Sequence, residues 1–164
     1  MIVVTGAAGK TGRAVIRAVV GRGQVVRALV HRPAQEASVR SLGAQEVVSG
    51  DMRDAAVLDR AMQGARAAYH ICPNVHPEEI AIGQAAIAAA RRAGAKRFVY
   101  HSVLQPQVEA MPHHWLKMRV EEQIFASGLD YTILQPAAYM QNVLAQRENV
   151  VDRGVYPVPY AIGT

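Results

Sequence analysis

At 164 residues, with 51% hydrophobic and 19% charged residues, the chain is long enough for one domain with a sizeable core, and no apolar run is long enough to span a bilayer. A net charge of +5 leaves anionic ligands open, but the arginines are scattered, and no basic tail, zinc spacing or basic–aromatic interleaving points to nucleic acid. The single cysteine, Cys72, excludes an internal disulfide framework and suits a reducing cytosol. Because the first strand begins at Met1, no signal-peptide pattern precedes it, and a cytoplasmic location is expected.

Met1 to Thr5 reads as a short buried strand. Gly6-Ala7-Ala8-Gly9-Lys10-Thr11-Gly12 follows at once, and Arg13 to Val20 reads as a helix. Val25 to Val30 is a second strand, broken only by Arg27. Ala34 to Leu42 is helical, and Gln45 to Ser49 is a third strand ended by Gly50-Asp51. A helix over Asp54 to Met62 has Asp54 or Asp51 near its cap. Arg66 to Cys72 is a fourth strand, stopped by Pro73. A long alanine-rich helix runs from Pro77 to Ala93, with Gly94 as its stop and Arg91-Arg92 at its dipole-favoured end. Arg97 to Val103 is a fifth strand, Pro112 to Ser127 a helix, Tyr131 to Leu134 a sixth strand, and Ala138 to Gln146 a further helical piece. Alternating strands and helices imply an α/β fold: a doubly wound parallel sheet of about six strands, with helices on both faces.

A strand, a glycine-rich turn and a helix together seat a dinucleotide pyrophosphate. Gly6 allows the tight turn, Gly9 lets backbone approach phosphate, and Gly12 lets the helix pack near the strand. The spacing is G-x-x-G-x-x-G, a variant of the fingerprint; Ala8, Lys10 and Thr11 complete the cradle. Ligands of such sheets sit beyond the carboxyl ends of the strands. After the second strand come His31 and Arg32 with no acidic residue, so a guanidinium stands ready for a 2′-phosphate. NADP(H) is therefore expected ahead of NAD(H). Asp51 and Met52 are placed beside the adenine, and Ile71, Cys72 and Pro73 along the groove, with the Cys72 thiol packed rather than reactive. Ser102 follows the fifth strand; Pro136 and Tyr139 follow the sixth.

On the helix from Pro112, Leu116, Val120 and Ile124 mark a buried stripe. His113 falls inside it, Lys117 at its edge and Glu121 further round. Lys117 either meets ribose hydroxyls in the crevice or makes an i,i+4 pair with Glu121. His113 is either a general acid or a satisfied structural histidine. Trp115, Met118 and Phe125 fall on another face and suggest a contact made by a second subunit or by further chain.

Thr5 to Gly12, the Val30-His31-Arg32-Pro33 turn, Arg97 to Val103, Pro112 to Lys117, Val120-Glu121 and Ser127 to Pro136 together resemble the NmrA-like branch of the atypical short-chain dehydrogenase/reductase superfamily. The resemblance runs in order along nearly the whole chain. It implies a Rossmann fold binding NADP(H) or NAD(H), in a group of small-molecule reductases and cofactor-sensing regulators without turnover. The family's lysine matches Lys117, but His113 stands where short-chain dehydrogenases place their acid–base tyrosine, four residues earlier. Residues 1–150 are read as the cofactor-binding domain and residues 151–164 as the start of a truncated substrate-binding region.

The expected function is hydride transfer from NAD(P)H to a quinone, enone or carbonyl small molecule. Lys117 would hold ribose, Ser102 or His113 would steady charge on the acceptor oxygen, and Tyr139 would line the substrate pocket. The alternative is a redox-sensing regulator acting through a protein partner. A purely structural domain with a vacant groove fits the intact glycine turn least well.

Overall fold

The computed structural model describes residues 1–157. Residues 158–164, the end of the segment read as a truncated C-terminal region, lie outside the described residues. The strands are β1 (Ile2–Val4), β2 (Val26–Val30), β3 (Glu46–Ser49), β4 (Ala67–His70), β5 (Arg97–His101) and β6 (Asp130–Leu134). The helices are α1 (Lys10–Val20), α2 (Glu36–Arg40), α3 (Ala55–Met62), α4 (Glu79–Arg92), α5 (Pro112–Phe125), α6 (Gln141–Leu144) and α7 (Arg147–Arg153). A 3-10 turn over Pro33–Gln35 leads into α2.

All six strands are parallel, in the order β3-β2-β1-β4-β5-β6. The chain reverses direction of winding between β1 and β4, and the crevice at their carboxyl ends is the switch point of a doubly wound sheet. Alternation along the strands feeds two cores. Val3 and Leu29 face α3, α4 and α5, with Leu58, Met62, Phe98, Val120 and Ile124. Val4, Ala28 and Val30 face α1 and α2, with Ile16 and Val39.

Arg27 breaks the apolar run of β2 for a reason. Its guanidinium caps α3 by donating to the carbonyls of Ala61 at 2.8 Å and Gln63 at 2.6 Å, and it pairs with Glu46 at 2.7 Å. Asp54, not Asp51, caps α3, accepting from the Ala56 N–H at 2.8 Å. Gly83 lets α4 press on α5, because a Cβ there would lie 2.7 Å from a Val120 methyl. That close approach brings the start of α4 against the middle of α5.

Several boundaries differ from expectation. α1 begins at Lys10, inside the glycine turn, with Gly9 as its N-cap. Proline at 77 precedes α4, which starts at Glu79. The helical piece expected over 138–146 is a single turn, α6, and α7 follows it unforeseen. β6 carries exposed Tyr131 and Leu134, and Phe125 packs its ring against Tyr131 at 5.5 Å. Trp115 and Met118 are half-buried, and Phe125 is exposed.

Candidate functional site

The glycine turn divides into residues the fold requires and one it does not. Gly6 has φ +57°, and a Cβ there would lie 2.8 Å from the Ile71 carbonyl oxygen. A Cβ on Gly12 would collide with the Gly6 carbonyl and lie 2.6 Å from the Ala7 Cα. Gly9 is different. Its φ of −73° and ψ of 169° suit any residue, and a Cβ would meet only the Gly6 carbonyl, at 3.3 Å. Gly9 is the N-cap of α1, where the N–H groups of Lys10, Thr11 and Gly12 have no backbone acceptor among the described residues. Folding explains Gly6 and Gly12 more fully than Gly9. Ala8 is half-buried, and Lys10 is exposed.

Beside the turn, a buried threonine staples β1 to β4. The Thr5 hydroxyl accepts from the Ile71 N–H at 2.9 Å, donates to the Ile71 carbonyl at 3.1 Å and lies 3.0 Å from His70 Nδ1. Ile71 is thereby fixed against Gly6, while Cys72 is buried and Pro73 exposed. Burial pushes the Cys72 thiol far above its usual range, so it is a packed thiol. Burial also pulls His70 down to about 4, leaving a neutral imidazole stacked on Tyr100, with its Nε2 unpartnered among the described residues.

His31 and Arg32 are exposed at the end of β2. The Arg32 guanidinium makes no hydrogen bond or ion pair among the described residues, while its backbone N–H donates to Gln35 Oε1 at 3.0 Å. Asp51 is held by Arg53, whose Nη2 lies 2.6 Å from Asp51 Oδ2, and this hydrogen-bonded pairing lowers its carboxyl to about 2. Met52 packs against the core.

At the far side, Lys117 does not make the i,i+4 pair with Glu121. Its Nζ lies 2.9 Å from Glu79 Oε1, at the start of α4, and 3.4 Å from the His101 carbonyl. Glu79 is 2% exposed and also accepts from the Tyr100 hydroxyl at 2.7 Å. Burial, then the Glu79 charge, drives the Tyr100 phenol upward, so that hydroxyl stays a donor. Glu121, expected further round the helix, is buried and serves other groups. It accepts from the Ser102 hydroxyl and from Gln135 Nε2 at 3.1 and 3.0 Å. Ser102 is itself buried, its proton committed to that carboxylate. His113 is half-buried, edge-on to His114 at 4.5 Å, and lowered by partial burial, then by His114 and Lys117. It makes no hydrogen bond among the described residues, so the structure shows no partner that satisfies it structurally.

A second polar chain crosses the crevice. Tyr139 shares a hydrogen bond of 2.7 Å with Thr11 Oγ1 and another of 2.7 Å with His101 Nε2. His101 Nδ1 lies 3.1 Å from the Tyr69 hydroxyl. Burial, then Lys117, lowers the His101 imidazole, and burial raises Tyr69. The Pro136 carbonyl accepts from the Leu104 N–H at 2.9 Å and fixes the exit of β6. Thr5, Glu79 and His101 were not singled out in the sequence. Only the position of His101 at the carboxyl end of a strand offered a signal.

The strand order, switch point and glycine turn define a Rossmann-type domain. Residues 1–156 match the NmrA-like family, and the chain belongs to it. It is 29% identical to an NAD(P)H azoreductase of Xenophilus azovorans over 165 residues, covering 99% of this chain and 57% of that protein. It is 33% identical over 163 residues to a (4-alkanoyl-5-oxo-2,5-dihydrofuran-3-yl)methyl phosphate reductase of Streptomyces griseus, covering 98% and 55%. An NADPH-dependent quinone oxidoreductase of Escherichia coli, solved with NADPH, superposes with a TM-score of 0.84 at 28% identity, covering 95% of this chain and 56% of that one. The chain thus spans about half the length of the relatives it matches. No helix among the described residues is long and apolar enough to cross a membrane.

Proposed function

We propose that this chain is the cofactor-binding part of an NAD(P)H-dependent reductase that passes hydride to a quinone, enone or carbonyl small molecule. The observation that carries the reading is the mouth of α1: Gly9 is its N-cap, and the N–H groups of Lys10, Thr11 and Gly12 have no backbone acceptor among the described residues. The relatives named as NAD(P)H azoreductase and NADPH-dependent quinone oxidoreductase support the same class. The dinucleotide, when bound, supplies the hydride; the protein supplies position and surroundings.

In this reading the amides of Lys10 to Gly12 and the helix dipole meet the pyrophosphate. Arg32, exposed and unengaged among the described residues, takes a 2′-phosphate by its planar fork, favouring NADP(H) over NAD(H). Ile71 to Pro73 form the floor of the groove, and Asp51 and Met52 border the adenine end. Lys117 borders the opposite end from its Glu79 anchor.

One observation favours a second reading, a redox-sensing regulator that binds the dinucleotide without turnover. Lys117 is paired with Glu79, the Ser102 hydroxyl donates to Glu121, and His113 stands where short-chain dehydrogenases place their tyrosine. The exposed face of Phe125 and Tyr131 would then take a second subunit or a regulatory protein. Fluorescence titration with NADPH, followed by an oxidation assay with quinones and enones, separates the readings. Binding with turnover supports the reductase, tight binding without it supports the sensor, and no binding removes both.

A further inference from the structure

We propose that Tyr139 holds the cofactor rather than the substrate: the segment after β6 is a strap that Tyr139 latches onto the glycine turn, closing over a dinucleotide that lies across the β1–β4 seam. This rests on the dinucleotide reading above.

The strap leaves the sheet on firm backbone bonds. The Ser102 N–H donates to the Leu134 carbonyl at 2.8 Å, and the Leu104 N–H to the Pro136 carbonyl at 2.9 Å. Beyond Pro136, among the described residues, no backbone hydrogen bond ties residues 137–140 to the sheet. The tether is one phenol. Tyr139 reaches Thr11 Oγ1, on the helix mouth whose amides are free, and His101 Nε2, at the end of β5. The Thr11 contact joins residues 128 apart in sequence. Tyr69 steadies the far side of the His101 ring, so the anchor is built rather than incidental.

The line from Thr11 to His101 crosses the switch point, where the ends of β1 and β4 meet at Thr5 and Ile71. A dinucleotide running from Arg32 towards Lys117, whose Nζ lies 3.4 Å from the His101 carbonyl, runs along the same line. The strap has little else to hold it: Met140, next to Tyr139, is 84% exposed, and Ala137-Ala138 have small side chains at the bend. A latch of two neutral hydrogen bonds is weak enough to open for exchange and strong enough to slow it. Removing the hydroxyl therefore speeds cofactor release more than it speeds entry.

Stopped-flow fluorescence of NADPH on the whole chain tests this with Tyr139→Phe, Thr11→Val and the double variant. Each single change should raise the release rate roughly three- to tenfold and weaken equilibrium binding by a smaller factor. The double variant should release no faster than Tyr139→Phe alone, because losing the phenol already deletes the Thr11 bond; a change acting through general loosening would add. Tyr139→Leu serves as a second probe of the strap, with the same expected release. An unchanged release rate, additive effects, or tighter NADPH binding in Tyr139→Phe would overturn the latch, the last because it would mean that Tyr139 stands in the cofactor's place. A parent chain that fails to bind NADPH overturns the dinucleotide reading itself, and the latch with it.

Discussion

Replacing Glu79 with glutamine should destabilise the fold by about 3 kcal/mol. Glu79 is 2% exposed, and the Lys117 side chain is 13% exposed. Glutamine still accepts from the Tyr100 hydroxyl, so that hydrogen bond survives. Lys117 loses its only carboxylate partner among the described residues and keeps one long contact, 3.4 Å to the His101 carbonyl. An unpaired buried charge costs about 3–5 kcal/mol, and the lower end applies because the lysine can slide partly outward. For a chain of this size that is about 10 °C in melting temperature. Urea unfolding and thermal melts measure it. Adding Lys117→Met removes the orphaned charge, and the double variant should return to within about 1 kcal/mol of the parent. A loss below about 0.5 kcal/mol in Glu79→Gln, or no recovery in the double variant, would show that Glu79 does not hold Lys117.

His70 should make the fold acid-sensitive. Its native pKa of about 4 lies below the ordinary 6.5, so the unfolded chain takes a proton that the native one refuses; stability is complete above pH 6.5 and falls by about 3 kcal/mol as pH drops towards 4. His70→Phe should flatten that part of a stability–pH curve, and an unaltered slope would locate the sensitivity elsewhere. Arg32→Ala should cost about 1.5–3 kcal/mol of NADPH affinity and leave NADH nearly unaffected; equal losses in parallel titrations would give Arg32 another role. Turnover in this 164-residue chain should be weak or absent, since the expected acid is replaced by His113 and the Ser102 proton is engaged. Robust NADPH oxidation surviving both Lys117→Ala and His113→Ala would show the reactive centre to be misplaced.

What the sequence made legible was local. Gly6 and Gly12 are demanded by atoms a few residues away or by an adjacent strand, so a strand, turn and helix read in order was enough. The parallel, doubly wound sheet of about six strands followed from the alternation of strands and helices, while the strand order came only with the structure. Glu79 escaped notice for the opposite reason. At the start of a helix a glutamate reads as a favourable charge near the dipole, and its partners Lys117 and Tyr100 are 38 and 21 residues away. Helical periodicity placed Glu121 on a polar flank. It could not show that β5 and the segment after β6 would set Ser102 and Gln135 there as donors. The Thr11–Tyr139 contact depends on how far the chain after β6 folds back, which no periodicity encodes. α6 and α7 are short and lack buried residues, so they carry no amphipathic signal to read.

The central claim is that a dinucleotide pyrophosphate sits on the mouth of α1, and Gly9→Leu tests it most directly. The φ and ψ of Gly9 suit any residue and a Cβ would press only on the Gly6 carbonyl, at 3.3 Å, so the variant should keep the parent's circular dichroism with a slightly lowered melting temperature. A leucine side chain at the N-cap of α1 should obstruct the approach of a phosphate to the Lys10 to Gly12 amides. Titration of both folded proteins with NADPH should show binding to the parent and none to the variant. Equal NADPH affinity in a folded Gly9→Leu would contradict the account.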